Sequence, residues 1–456
     1  SIRDQEGDWI MTSNSVKKRL KHIILEPLQY GANESAEESN PDDPRYIRIT
    51  DIDENGQLKE DTYKSLDKVK ASSYYLKEGD VLFARSGATV GKTFLYKEKY
   101  GKAAFAGYLI KATVDKSKCL PAFLYYYTKS KNYENWKDSI FIQATIQNIG
   151  ADKYSELEID CPDIEVQARI INYLEYKTTQ FDSLISKKEQ LIQKLEQAKK
   201  SLISEVVTGK VKIVDGELVE RDPAEMKESG IEWLGLVPKE WKVSKLKYFS
   251  DKITQGPNPN YDLGEPEKAS KYRVLKTKDL YDSAILYDNS DLISVETYNS
   301  CKKSALKNGD ILMGIVGKGS IGKVNVFDND TGINYIFTRA LGLIRVNNKL
   351  KPRFLNYILR SNYGKETINN GIIGSTGQEV LQTAYIARVY IPIPDKSEQK
   401  YLISFLDKET RKIDLLLLKM NKYIDLLKQA KQSLISEAVT GKIDLRDWEI
   451  IEEGEI

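Results

Sequence analysis

The sequence predicts an α+β protein: two mixed α/β domains joined by two long helices that pair as an antiparallel coiled coil, with an internal pseudo-two-fold repeat. Three observations predict this. The second half of the 456-residue chain repeats the first, with residue 76 matching 306, 121 matching 352 and 197 matching 429. Each half begins with short Tyr-, Ile-, Val- and Thr-rich runs broken by Gly and Asp/Asn turns, which is strand patterning. Each half closes on a helical stretch of roughly 40 residues.

Composition bounds the class. The chain is too long for one core, and with 41% hydrophobic and 30% charged residues it has globular composition. No run of about 18 apolar residues exists, so no membrane helix is expected. The opening "SIRDQEGDWIMTSNS" lacks the apolar segment of a secretory signal. Cys119, Cys161 and Cys301 are scattered and odd in number, which points to a reducing cytoplasm. The formal net charge is +2, so any basic surface is local. His22 is the only histidine, which argues against a histidine metal site or a hydrolytic triad, and it is read as structural.

The repeat sets the elements in order. "YIRITDID" and "YRVLKTKDL" occupy equivalent places and read as strands carrying Arg48, Thr50, Lys276 and Thr277. "LKEGDVL" (Leu76–Leu82) returns as "LKNGDIL" (Leu306–Leu312) and opens a second strand in each half. "PAFLYYY" returns as "PRFLNYI", helical in period, with Phe123, Tyr126 and Tyr127, and Phe354, Tyr357 and Ile358, on one face. "QAKKSLISEVVTGKV" (Gln197–Val211) returns as "QAKQSLISEAVTGKI" (Gln429–Ile443), differing at three positions. The period far exceeds that of solenoid repeats, so a whole domain is duplicated.

A heptad seam is expected on each long helix. Phe181, Leu184, Leu191, Leu195 and Leu202 lie on the first, and Ile413, Leu416, Leu427 and Leu434 on the second. "TGK" (Thr208–Lys210, Thr440–Lys442) stops each helix at a glycine. The expected organisation is a first domain over 1–160, its helix over 161–213 and a polar linker over 214–230. A second domain over 231–392, its helix over 393–445 and a tail over 446–456 follow. Trp233 and Trp241 are expected to pack the second domain against the helix ends, with Trp9 as the weaker counterpart.

Two motifs come close to catalytic patterns. "VLFARSGATVGKTFLY" (Val81–Tyr96) resembles a nucleotide loop, but Gly87 to Gly91 is one residue short and strand patterning follows. Its repeat, "MGIVGKGSIGKVNVF" (Met313–Phe327), has the right spacing but Val324 in place of the hydroxyl residue. The shared part is a strand, a glycine-rich turn and a second strand, suited to phosphate contact without hydrolysis. "NPNY" (Asn258–Tyr261) falls short of an amino-methyltransferase turn and is read as a loop.

At this point the residues resemble the specificity subunits of Type I restriction-modification enzymes. The resemblance is carried by "IEWLGLVPKEW" (Ile231–Trp241), "GDVLFARSG" (Gly79–Gly87), "STGQ" (Ser375–Gln378), "IPIPDKSEQ" (Ile391–Gln399) and both helix ends, and it spans nearly the whole chain. In the first copy "DCPDIEVQARI" (Asp160–Ile170) departs from the Pro-x-Pro form and keeps Pro162 and Gln167. The resemblance implies a non-catalytic subunit with two target-recognition domains, each reading half of a bipartite, asymmetric site in double-stranded DNA. It implies two methyltransferase subunits docked on the helices, with restriction/motor subunits joining them. S-adenosylmethionine, ATP and Mg²⁺ would then belong to the partners, and this chain would hold no cofactor. The competing class is a coiled-coil adaptor with no nucleic-acid role.

Candidate DNA contacts follow from the equivalent segments. Arg85, Lys92, Lys318 and Lys323 flank the glycine-rich turns and suit phosphate contact. Thr145, Gln147, Thr376 and Gln378 lie in short polar segments, where a glutamine amide suits adenine. Arg48, Thr50, Lys276 and Thr277 face either groove or solvent. The unequal loops after Gly31 and Gly256 are where the two domains are expected to differ in target.

Overall fold

Val81, Leu82, Phe83 and Ala84 are all fully buried, and strand alternation sends them into two cores. Val81 and Phe83 meet Ile110, Phe123 and Tyr154 on one face, while Leu82 and Ala84 meet Ile47, Phe94 and Phe105 on the other. This organisation is seen in a computed structural model that describes residues 2–3, 9–10, 16–35, 39–53, 56–87, 89–142, 148–258, 271–375 and 379–448. The chain divides into two units, 1–189 with 421–456 and 190–420.

In unit 1, strands β1 (Gln29–Tyr30), β2 (Arg45–Ile47), β3 (Val81–Ala84), β4 (Thr93–Leu95), β5 (Ala103–Phe105) and β6 (Leu109–Ala112) form two sheets. One is antiparallel in the order β1-β6-β3-β4, and the other pairs β2 with β5 in parallel. Helices α1 (Pro121–Tyr127), α2 (Lys131–Ile142) and α3 (Ile164–Thr208) follow. Proline at the first turn of α1 uses a position that needs no N–H partner.

Unit 2 repeats the plan. Strands β7 (Ser250–Gln255), β8 (Tyr272–Leu275), β9 (Ile311–Gly314), β10 (Val324–Val326), β11 (Asn334–Phe337) and β12 (Leu341–Val346) give an antiparallel order β7-β12-β9-β10. β8 and β11 pair in parallel. Helices α4 (Pro352–Arg360), α5 (Asn362–Asn369) and α6 (Lys396–Val439) follow.

The two long helices are longer than the sequence suggests, at 45 and 44 residues, or about 65–68 Å each by the helical rise. They run antiparallel. Within unit 1, Lys431 binds both carboxylate oxygens of Asp182 (2.6 and 2.7 Å), and further along α3 Lys188 lies over the ring of the earlier residue Tyr423 (4.9 Å). Within unit 2, Lys199 binds Asp414 at 2.5 Å.

The expected heptad seam is corrected. One continuous row of buried or partly buried positions on α3 runs through Ile170, Leu174, Thr178, Phe181, Ile185, Lys188, Ile192, Leu195, Lys199, Ile203 and Val206. On α6 the steps are the same, from Leu402 through Thr410, Leu417, Ile424 and Ile435 to Ala438. The mean period is that of a straight helix, about 3.6, so a strict 3.5 repeat drifts off the buried face. Leu184, Leu191 and Leu416 are accordingly exposed at 46%, 40% and 45%, while Leu427 is buried. Phe181, Leu195, Leu202, Ile413 and Leu434 stay partly buried.

The ends of the helices are exchanged between the repeats. The last turns of α6, with Ile435, Ala438 and Val439, enter the unit 1 core, and Ser436 Oγ accepts the Lys131 N–H at the start of α2 (3.1 Å). In unit 2 the end of α3 does the same. Ile203, Val206 and Val207 enter its core, and Ser204 Oγ accepts the Asn362 N–H (2.8 Å).

The 214–230 segment is not a bare linker. Val211–Val214 pairs with Glu217–Glu220 around Asp215-Gly216, both at positive φ (51° and 85°). Asp-Gly favours this tight hairpin turn. Met226–Glu228 pairs with Leu236–Pro238. Trp241 is buried beside Gly209 at the end of α3, and its indole N–H reaches Glu398 (2.9 Å), as expected for a packing residue. Trp233 is instead 44% exposed and donates to Thr367 (3.1 Å). The Trp9 side chain lies outside what is described. In unit 1 it is Trp448 that packs on Tyr173, edge to face at 5.2 Å.

Candidate nucleic-acid interface

The glycine-rich turns are hairpins in both units. Ala84 N–H donates to Lys92 O (2.8 Å) and Gly91 N–H returns to Ala84 O (2.9 Å). In unit 2, Gly314 N–H donates to Lys323 O (2.9 Å) and Gly322 N–H to Gly314 O (3.0 Å). These bonds align Lys92 with Lys323, and the second turn is one residue longer, which accounts for the two glycine spacings. A strand follows each turn, so no helix N-terminus faces it as a phosphate loop requires. Among the described residues no group of His, Cys, Asp and Glu is placed to hold a metal ion.

Three features meet at one end of the sheet in each unit. The first is the hairpin tip. The second is a close backbone crossing: a Cβ on Gly31 would lie 2.3 Å from Ala106 O, and one on Gly256 would lie 2.3 Å from Thr338 O. Only glycine fits there, and the variable loops begin at these points. The third is the flank of each polar segment, where Ser86 bridges to Asn148 and Val316 to Val380. Thr145, Gln147, Thr376 and Gln378 themselves lie outside the described residues, as does "NPNY" from residue 259 onward.

The candidate cations separate into two groups. Lys318 is exposed at its hairpin tip. Arg85 lies over the Tyr30 ring at 4.8 Å, and its buried Nε has no hydrogen-bond partner among the described residues. The Arg85 N–H meets Tyr108 O as the Ile315 N–H meets Ala340 O, so Arg85 aligns with the buried Ile315 rather than with Lys318. Lys92 and Lys323 instead fold back. Lys92 Nζ donates to Ile52 O (2.9 Å), and Lys323 stands over the Tyr281 ring (5.1 Å).

Arg48, Thr50, Lys276 and Thr277 are not on strands, as the sequence suggests, but on short 3-10 turns just past β2 and β8. Buried Asp51 and Asp279 cause this, each accepting the N–H of the residue three before it, Arg48 and Lys276 (2.8 Å each). Arg48 binds Asp51 through two nitrogens (3.0 and 2.7 Å), and Lys276 pairs with Asp291. Burial raises the Asp279 carboxyl above its ordinary pKa. Thr50 is exposed and Thr277 is partly buried.

Sequence reasoning missed two exposed side chains beside the hairpins, Tyr108 (66% exposed) and Arg339. Both lie in turns that cross from one sheet to the other, between β5 and β6 in "FAGYLI" and between β11 and β12 in "FTRALG". An aromatic or basic residue in a tight turn was the available signal.

The fold and this end of each sheet define a duplicated recognition protein, in which one scaffold presents two different sets of loops. The chain belongs to the family described as Type I restriction modification DNA specificity domain, which matches residues 30–197 and 238–424. That family makes it the DNA sequence-recognition subunit of a type I restriction-modification system. It is 25% identical over 390 residues to the type I restriction enzyme MjaVIII specificity subunit of Methanocaldococcus jannaschii, covering 83% of each chain. It is 22% identical over 305 residues to the EcoBI specificity subunit of Escherichia coli, covering 66% of this chain and 61% of that one. A solved chain of a type I R-M system shares the fold, with a TM-score of 0.71 at 16% identity over 95% of this chain and 100% of that one.

Proposed function

We propose that each unit reads one half of a bipartite, asymmetric site in double-stranded DNA through the hairpin end of its sheet. The carrying observation is that one backbone arrangement occurs twice with different side chains: Arg85 and Tyr108 in unit 1, Lys318 and Arg339 in unit 2. Two unlike surfaces on like scaffolds suit two unlike half-sites.

The long helices are the docking surface for two methyltransferase subunits, with restriction/motor subunits joining that assembly. Exposed leucines support this, notably Leu415 (53%) and Leu418 (67%) on α6. S-adenosylmethionine, ATP and Mg²⁺ act in the partners, and this chain contributes specificity without chemistry. Free, buried Cys119, Cys161 and Cys301 suit the cytoplasm, and among the described residues no helix is long and apolar enough to cross a membrane.

Co-expression with the methyltransferase subunits, followed by mapping of methylated bases in host DNA, tests the reading. Two short motifs separated by a fixed spacer are expected. A stable complex without sequence-specific methylation would favour the adaptor class instead.

A further inference from the structure

Unit 1 contains a cavity of about 830 Å³ between α1, the first half of α3 and the last half of α6. The matching helices of unit 2 are joined by a side chain that unit 1 lacks. Where unit 2 has Arg353, whose guanidinium binds Asp407 (2.5 Å) while Tyr357 donates to the same carboxylate (2.7 Å), α4 is tied directly to α6. The matching residue in unit 1 is Ala122, which leaves room on the cavity wall.

Lys129 stands at this cavity. Its ammonium donates to Thr93 O (3.3 Å) and lies 4.7 Å from the Tyr125 ring centre. Lys137 is paired with Glu134 and Lys431 with Asp182, but among the described residues no carboxylate pairs with Lys129. Lys97 and Lys428 line the same space. Glu175, Asp182 and Glu189 lie on the α3 wall, so the four lysines of the lining exceed its carboxylates by one.

We propose that this cavity is an anion site that takes a phosphate group, with Lys129 as its principal ligand. A compact ammonium without a carboxylate partner among the described residues matches phosphate as a point charge, and Lys97 and Lys428 in the same lining offer further charge-assisted hydrogen bonds. Displacement of Lys129 from water supports the proposal: desolvation, with Lys92 next, lowers its pKa to about 8. A bound anion would reverse that penalty. The phosphate could belong to a soluble compound or to a DNA backbone, and the test separates them.

Inorganic pyrophosphate is titrated calorimetrically into the full chain. One saturable site is expected, weakened at least tenfold by Lys129→Gln and unchanged by Arg360→Gln, the matching residue of unit 2. If Lys129→Gln fails to fold, Lys97→Gln takes its place, with at least threefold weakening expected. No saturable binding, or equal binding by the wild-type chain and a folded Lys129→Gln chain, overturns the proposal. The titration is then repeated with a 40-base-pair duplex saturating the chain at low salt. Loss of the pyrophosphate heat identifies the backbone phosphodiester as the occupant, and its retention identifies a soluble phosphate compound. Duplex binding is scored separately. Its absence alongside normal pyrophosphate binding would count against the DNA reading and leave the anion site standing.

Discussion

Gln167 Oε1 accepts the backbone N–H of Leu120 at 2.8 Å, deep in unit 1, where Gln167 has no exposed surface. Its Nε2 donates to Pro162 O (2.7 Å). Gln399 in unit 2 repeats the arrangement with Lys351 N–H (2.8 Å) and Pro394 O (3.0 Å). One amide thus joins the start of a long helix to the start of the proline-capped short helix of its unit, α3 to α1 and α6 to α4. This is why Pro162 and Gln167 persist where the first copy otherwise departs from the motif. Gln167→Ala should cost roughly 1–3 kcal/mol, since it strands a buried donor and acceptor. Denaturant unfolding checks this, and a change within error would remove the amide from the account of the motif.

Lys318→Ala should weaken duplex binding without changing the site chosen, and lower the log–log salt slope by about one unit. Lys92→Ala should behave differently. Its Nζ holds the Ile52 carbonyl, so the loss should appear as stability, on the order of 1 kcal/mol, with a smaller change in salt slope. Binding isotherms at several salt concentrations, with thermal melts alongside, separate the two.

This difference shows what the sequence could carry. The duplication, the hairpins, the helical faces of α1 and α4 and the paired long helices were all legible, because hydrophobic period and glycine punctuation record them locally. The destinations of long side chains were not. Nothing near Arg48 in sequence announces that Asp51 will be buried and will hold its guanidinium. The seam was misplaced because a strict 3.5 repeat drifts about 20° per heptad on a straight helix, on the order of 100° over five heptads, and leucines occur on both faces. The Asp215-Gly216 hairpin was not read, because the polar composition of 214–230 suggests a linker although Asp-Gly signals a tight turn.

Leu418→Asp should leave the chain's stability within about 0.5 kcal/mol, because that side chain is already in solvent. It should abolish co-purification with methyltransferase subunits. Leu406→Asp, fully buried one helix region earlier, should instead unfold unit 2. Retained complex formation by a folded Leu418→Asp chain would move the docking surface elsewhere.

A fragment ending near Gly230 should dimerise. Unit 1 then lacks the α6 end that supplies Ser436, but the end of α3 offers Ser204 in nearly the same sequence. Two fragments exchanging these ends restore both units about a true two-fold axis. With methyltransferase subunits the dimer should modify a palindrome built from one half-site. Light scattering and methylation mapping test the two steps, and a monomeric fragment rejects the first.

Lys129→Met should stabilise the chain near neutral pH by up to roughly 3 kcal/mol, given a folded pKa of about 8 against an ordinary 10.5. The sign follows from proton counts. Between those values the unfolded chain holds more protons, so wild-type stability rises with pH and the mutant's advantage disappears by about pH 10.5. Desolvation is the main cause, with Lys92, Lys137 and Lys431 adding repulsion and Glu134 opposing it. Unfolding free energies measured from pH 7 to 10.5 check the closing gap, and a constant difference would reject the assignment.

The exchange of helix ends also sets an order of events during synthesis. Ile435, Ala438, Val439 and Leu445 belong to the core that surrounds Phe83 and Phe123. A growing chain therefore exposes the unfinished face of its first domain until residues 435–445 have left the ribosome. Unit 2, whose helix end at Ile203 to Val207 precedes its own domain, has that element waiting from the start. Pairings this distant in sequence close slowly. The second domain made is thus the first able to complete its core, and the interval before the first does so is when the nascent chain depends most on chaperones.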